Sequence, residues 1–136
     1  MNTGVRAGGD RDGGESGIEI LIVDDEPKLA ELGARRLESL GYRVTALCDS
    51  RAALDLILSD PRRFGLVITD LLMPGLSGLE LARQATEARP GLPVIVLTGL
   101  SEEHAPAELE AAGVARVLGK PLRLADLDAA IREVLS

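Results

Sequence analysis

Five short apolar runs punctuate the chain, and each leads into a stretch with helical spacing. Ile18 to Val23 is apolar except for Glu19, and Tyr42 to Leu47 forms a second run. Leu66, Val67 and Ile68 form the third, Val94 to Leu97 the fourth and Val114 to Leu118 the fifth. All five read as strands, the third as one buried on both faces and the fourth as a buried one. After the first run, Pro27 suits the opening turn of a helix, where its missing N–H costs nothing. Leu29, Leu32, Leu37 and Leu40 fall on one helical stripe with Gly33 among them, and Gly41 stops the helix. Ser50 is expected to cap a second helix, with Ala53, Leu54, Ile57 and Leu58 apolar and Asp60-Pro61 at its end. Ser77 is a candidate N-cap for a third, which runs to about Ala88 and stops at Pro90-Gly91. A fourth lies within about 101–112, with Pro106 either its first residue or a kink. The last shows the clearest period: Leu124, Leu127, Ile131 and Val134, with Ala130 and Leu135 beside them.

Five strand–helix units with no repeat and no internal linker imply an α/β fold, a parallel sheet with helices on both faces. Right-handed crossovers then bring the C-terminal end of every strand to one edge. Residues 1–17 carry six glycines and almost no bulky apolar residue, so they are expected to form a flexible tail before a single domain at 18–136.

Polar residues gather at those strand ends. The first strand runs into Asp24 and Asp25, the third into Asp70, the fourth into Thr98 and the fifth into Lys120. The C-terminal edge of an open α/β sheet is where ligands collect. Three carboxylates brought together repel unless something positive sits among them. An Mg²⁺ ion would resolve that, because it takes a few carboxylate oxygens and keeps several waters. Lys120 adds a second positive charge and Thr98 a small hydroxyl donor. This equipment suits placing a phosphoryl group on Asp70, since phosphoryl transfer needs charge neutralisation and in-line positioning. Each residue alone has a plainer explanation: acids favour a helix N-terminus, Asp70 precedes a turn, Thr98 ends a strand, and Lys120-Pro121 lies in a loop. Their joint occurrence in this order is what points to chemistry.

Composition narrows the field. The net charge of −7 argues against a sequence-independent hold on nucleic acid. Only Tyr42 and Phe64 are aromatic, which leaves little for stacking on bases. Cys48 is the only cysteine, so no internal disulfide or cysteine-rich zinc site forms. No apolar run approaches the roughly 20 residues that span a bilayer, and the N-terminus lacks a secretory h-region. A cytoplasmic location and no membrane partner are the expectation. His104, in a polar stretch, reads as a surface residue.

At this point the chain resembles a response-regulator receiver domain of two-component signalling. The resemblance rests on Ile22-Val23-Asp24-Asp25-Glu26, on Thr69-Asp70-Leu71-Leu72-Met73-Pro74-Gly75 with Gly78, on Val96-Leu97-Thr98-Gly99 and on Gly119-Lys120-Pro121. It covers about 18–135. It implies a flavodoxin-like, CheY-like (βα)5 fold with strand order 2-1-3-4-5. It also implies that Asp70 accepts phosphoryl from a sensor histidine kinase or a histidine phosphotransfer protein. Asp24, Asp25, Asp70 and the backbone carbonyl of Leu72 would hold Mg²⁺, and Thr98 and Lys120 would bind the phosphoryl group. Lys120-Pro121 would be a cis peptide bond, and small phosphodonors would serve as well. Such a domain catalyses only its own phosphorylation and dephosphorylation, and dimerises in many relatives through the fourth helix, fifth strand and fifth helix. Val117 stands where many receivers carry Phe or Tyr, so the usual coupling of a threonine to a swinging ring is not expected. Leu72 and Leu100 offer no group to orient water, so the aspartyl phosphate should hydrolyse slowly.

No second domain follows the fifth helix in this sequence. The expected roles are a stand-alone receiver acting on a downstream protein target, a receiver excised from a larger protein such as a hybrid histidine kinase, or a protein-interaction module that works unphosphorylated. A flavodoxin-like small-molecule binder would need a glycine-rich loop where Asp24-Asp25-Glu26-Pro27 stands. A phosphatase with an aspartate nucleophile would usually carry a second Asp where Leu72 stands.

Overall fold

The computed structural model describes residues 18–99 and 106–136. The expected tail at 1–17, Leu100 and His104 lie outside the described residues. Five strands, β1 (Glu19–Val23), β2 (Arg43–Leu47), β3 (Leu66–Asp70), β4 (Val94–Thr98) and β5 (Arg116–Gly119), alternate with five helices, α1 (Pro27–Ser39), α2 (Ser50–Ser59), α3 (Gly78–Ala88), α4 (Pro106–Ala111) and α5 (Leu124–Leu135). All strand pairs are parallel and the order is β2-β1-β3-β4-β5. This is the flavodoxin-like fold with the expected strand order.

Side chains that alternate along each strand feed two cores. Leu21, Val23, Val67 and Val96 pack with Ala53, Leu54 and Ile57 of α2, Leu81, Ala82 and Ala85 of α3 and Leu109 of α4. Ile20, Ile22, Ile68 and Ile95 pack on the other face with Leu37 of α1 and Leu127, Ala130 and Ile131 of α5. The inner strands β3 and β4 are covered on both faces and so appear in the sequence as apolar runs, whereas the edge strands β2 and β5 are partly exposed and carry Arg43, Thr45 and Arg116.

Three local expectations are corrected, the inner face of α1, the cap of α2 and the start of β5, and one of the two alternatives for Pro106 is selected. In α1 the inward residues are Ala30 and Leu37, with Gly33 and Ala34 between them, while Leu29 and Leu32 are 41% and 46% exposed. Successive residues turn by about 100°, so Leu32 lies almost opposite Ala30. The small residues let the helix close on β1, and a Cβ at Gly33 would run into the Ile22 side chain. In α2 the N-cap is Asp49, whose carboxylate accepts from the N–H groups of Arg51 and Ala52, and Ser50 is the first helical residue. Leu58, about 100° round from Ile57, faces outward, as does Leu124 at the start of α5. Pro106 opens α4 and does not kink it, and β5 begins at Arg116 because the Val114 N–H is spent on the Leu109 carbonyl, closing the turn after α4. Ser77 caps α3 as expected, accepting from the Glu80 N–H at 3.1 Å.

Candidate functional site

β3 is the central strand and all five of its residues are buried, Asp70 included at 6% exposed. Its register puts Asp70 opposite Leu97, so Thr98 stands one residue further along β4. Thr98 is in turn opposite Gly119, which delivers Lys120 to the same edge. The Lys120 N–H donates to the Thr98 carbonyl at 2.7 Å, tying the two residues together through their backbones. On the other side of β3, β1 ends at Val23 and the Asp24 N–H donates to the Leu47 carbonyl at 3.1 Å. The Asp24 Oδ1 accepts from the Glu26 N–H at 2.9 Å, which fixes the side chain as α1 begins.

These constraints bring four of the expected residues into contact range. Asp24, Asp25 and Asp70 each present a carboxylate oxygen, and the three lie within 4.8 Å of one another. Lys120 Nζ sits 2.7 Å from Asp70 Oδ1 and 3.7 Å from Asp24 Oδ2. Thr98 reaches this edge by register and by its bond to Lys120, and is half-buried. Leu72 lies two residues past Asp70 in the loop to α3, with its side chain 55% exposed. The Lys120–Pro121 bond is cis.

The electrostatics are unbalanced. Burial pushes the Asp70 carboxyl up to about 6; the Lys120 ammonium pulls it down, and the Asp24 carboxylate pushes it up again. Asp70 Oδ1 is shielded from solvent, and the Lys120 ammonium pairs with it at 2.7 Å. Three carboxylates with a single ammonium among them leave excess negative charge, and their converging oxygens make a donor set suited to a hard divalent cation.

Two polar side chains at this edge escaped the sequence reading. Thr69 is fully buried and Ser50 nearly so, and both hydroxyls reach the segment that begins at Asp70. A threonine closing an otherwise apolar run, Leu66-Val67-Ile68-Thr69, was the available signal. Ser50 was masked by its resemblance to a cap.

The profile of the response regulator receiver domain family matches residues 20–132. The response regulator receiver protein CpdR of Brucella abortus is 34% identical over 116 residues, covering 85% of this chain and 95% of that protein. The response regulator MprA of Mycolicibacterium vanbaalenii is 40% identical over 121 residues, covering 87% of this chain but 50% of that protein. The chain thus spans nearly all of one relative and half of the other. Among solved structures, a response regulator receiver domain protein from Clostridium thermocellum superposes with a TM-score of 0.82 at 30% identity, covering 87% of this chain and 94% of that one. CheY4 of Vibrio cholerae does so with a TM-score of 0.76 at 27% identity, covering 87% and 98%. Receiver domains of this kind interact with histidine kinases in two-component signalling. No helix among the described residues is long and apolar enough to cross a membrane. The chain belongs to the response-regulator receiver domain family.

Proposed function

We propose that Asp70 accepts a phosphoryl group from a phosphohistidine donor in an Mg²⁺-dependent reaction, and that the domain so switches or relays a two-component signal. The observation that carries this reading is the convergence of three carboxylate oxygens within 4.8 Å, with Lys120 Nζ 2.7 Å from the central one. In the reaction an Asp70 carboxylate oxygen attacks phosphorus, the P–N bond to the donor imidazole breaks, and its electron pair leaves with the ring nitrogen. Asp24, Asp25 and Asp70, with the Leu72 backbone carbonyl, would hold the metal. Bound there, Mg²⁺ would neutralise charge on the phosphoryl oxygens.

Lys120 acts on the same oxygens from the β5 side. Asp70 enters the reaction already beside its ammonium, which turns from the carboxylate to the incoming group without leaving the site. Thr98 donates its hydroxyl to the phosphoryl group. The donor is a sensor histidine kinase or a histidine phosphotransfer protein, and the output is a downstream protein target. Residues 18–136 are the receiver, acting in the cytoplasm after a tail at 1–17, and α4, β5 and α5 form the surface for self-association. The domain turns over no external substrate. Leu72 presents an exposed apolar side chain where a polar one would orient an attacking water, so the aspartyl phosphate is long-lived.

Intact mass after incubation with Mg²⁺ and acetyl phosphate or phosphoramidate tests the reading. One phosphoryl group is expected on the wild type, lost when Mg²⁺ is chelated and absent from Asp70→Asn. Labelling of Asp70→Asn, or labelling indifferent to Mg²⁺, would overturn it. After donor removal the adduct should persist for minutes or longer, and decay within seconds contradicts the role given to Leu72.

A further inference from the structure

Four polar or charged side chains are buried among the described residues. Two, Asp24 and Asp70, belong to the acidic cluster. The other two, Thr69 and Ser50, carry hydroxyls, and a buried hydroxyl is unfavourable unless it is hydrogen-bonded. Thr69 stands in register between Val23 and Val96, both fully apolar and buried, so a valine would fill its place equally well. The hydroxyl donates to the Asp70 carbonyl at 3.0 Å and lies 3.9 Å from the Met73 sulfur. Ser50, on the first turn of α2, places its Oγ 3.5 Å from the Pro74 carbonyl. From two different elements, both hydroxyls therefore reach one segment, Asp70 to Pro74. The start of that segment is also held through the backbone, because the Gly78 N–H donates to the Leu71 carbonyl at 2.7 Å and the Leu71 N–H to the Leu97 carbonyl at 2.9 Å.

We propose that Thr69 and Ser50 are positioning residues for the acidic site, their hydroxyls holding the Asp70–Pro74 segment so that the Asp70 carboxylate and the Leu72 carbonyl face the same point. The tethering stands on the hydrogen bonds alone. Its consequence for metal rests on the function proposed above. Neither hydroxyl touches the reacting atoms; both act through the backbone they hold.

Three variants of the full chain separate positioning from packing: Thr69→Val, Thr69→Ser and Ser50→Ala. Two quantities are read in EDTA, the thermal midpoint and the amide hydrogen exchange of residues 71–77. A third is the Mg²⁺ dissociation constant by calorimetry. Thr69→Val should keep or raise the midpoint, speed exchange in 71–77 and weaken Mg²⁺ binding by about tenfold. Thr69→Ser, which keeps the hydroxyl and loses the methyl, should lower the midpoint while exchange and affinity stay near wild type. Ser50→Ala should speed exchange around Pro74 to a smaller degree, and it gives a second reading on another element if Thr69→Val folds poorly. Wild-type exchange and affinity in both Thr69→Val and Ser50→Ala would overturn the proposal. If the wild type itself binds no Mg²⁺, the metal reading fails, and the exchange of 71–77 alone decides the tethering: faster supports it, unchanged overturns it.

Discussion

Asp70 holds its proton more tightly in the folded chain than in the unfolded one, because burial and the nearby Asp24 outweigh the pull of Lys120. The carboxyl titrates near 3.8 when unfolded and about 6 when folded. The folded state therefore gains most at low pH, and that gain is lost as pH rises from about 4 to about 6. Above that window the metal-free domain carries an ionised buried carboxylate at a cost of about 3 kcal/mol. Asp70→Asn removes the cost. In EDTA at pH 7.5 it should raise stability to denaturant by about that amount, and the advantage should vanish near pH 4. A wild type and variant that differ equally at both pH values would show that Asp70 is not the group responsible. The strain at neutral pH fits a residue kept ready for a cation or an electrophile, since both relieve it.

At the scale of elements, the β3–α3 junction admits no side chain at its second anchor. A Cβ on Gly78 would collide with the Asp70 carbonyl oxygen, a backbone atom that cannot swing aside. Gly78→Ala should cost about 3 kcal/mol in urea unfolding and displace Asp70. Gly119→Ala, where a Cβ meets nothing within 4 Å, should stay near wild type. Comparable losses in the two variants would mean that the close approach is easily relaxed. The same scale shows which elements the sequence could disclose. β3 and β4 are legible because a strand covered on both faces leaves an unbroken apolar run. The inner face of α1 is not, because the eye assigns large residues to the core, whereas here Ala30, Gly33 and Ala34 admit the helix and two leucines are left outside. Asp49 and Ser50 are both good caps by type, and it is the Asp49 carboxylate, accepting from the Arg51 and Ala52 N–H groups, that takes the place.

For the molecule as a whole, the site was legible because topology carried it. A parallel sheet of order β2-β1-β3-β4-β5 brings Asp24, Asp25, Asp70, Thr98 and Lys120 to one edge wherever the helices between them run. What the pattern left out depends on distance. That Asp24 is buried and Asp25 exposed, that Lys120 lies nearer to Asp70 than to Asp24, and that two hydroxyls brace the loop are matters of an ångström or two, set by caps and turns. The opposite edge of the sheet holds a separate network. Glu19 is held below its ordinary value despite its burial, because Arg63 and Thr45 bond its carboxylate, so β1 is latched to β2 and to the chain entering β3 far from the acidic cluster.

Tyr42 and Phe64 both sit at that opposite edge, buried, where β2 and β3 begin. Phe64 lies just before β3 and Asp70 at its far end, at most about 20 Å apart along the chain. Val117, by contrast, stands on β5 three residues before Lys120 and is 41% exposed. Intrinsic emission should therefore respond little to events at Asp70. Val117→Trp has the room to fold, and its fluorescence should change when Mg²⁺ and a phosphodonor are added together, while the parent domain stays optically silent. An indole whose emission ignores phosphorylation would mark β5 as a bystander. One that follows it would turn this small, nearly colourless receiver into its own reporter.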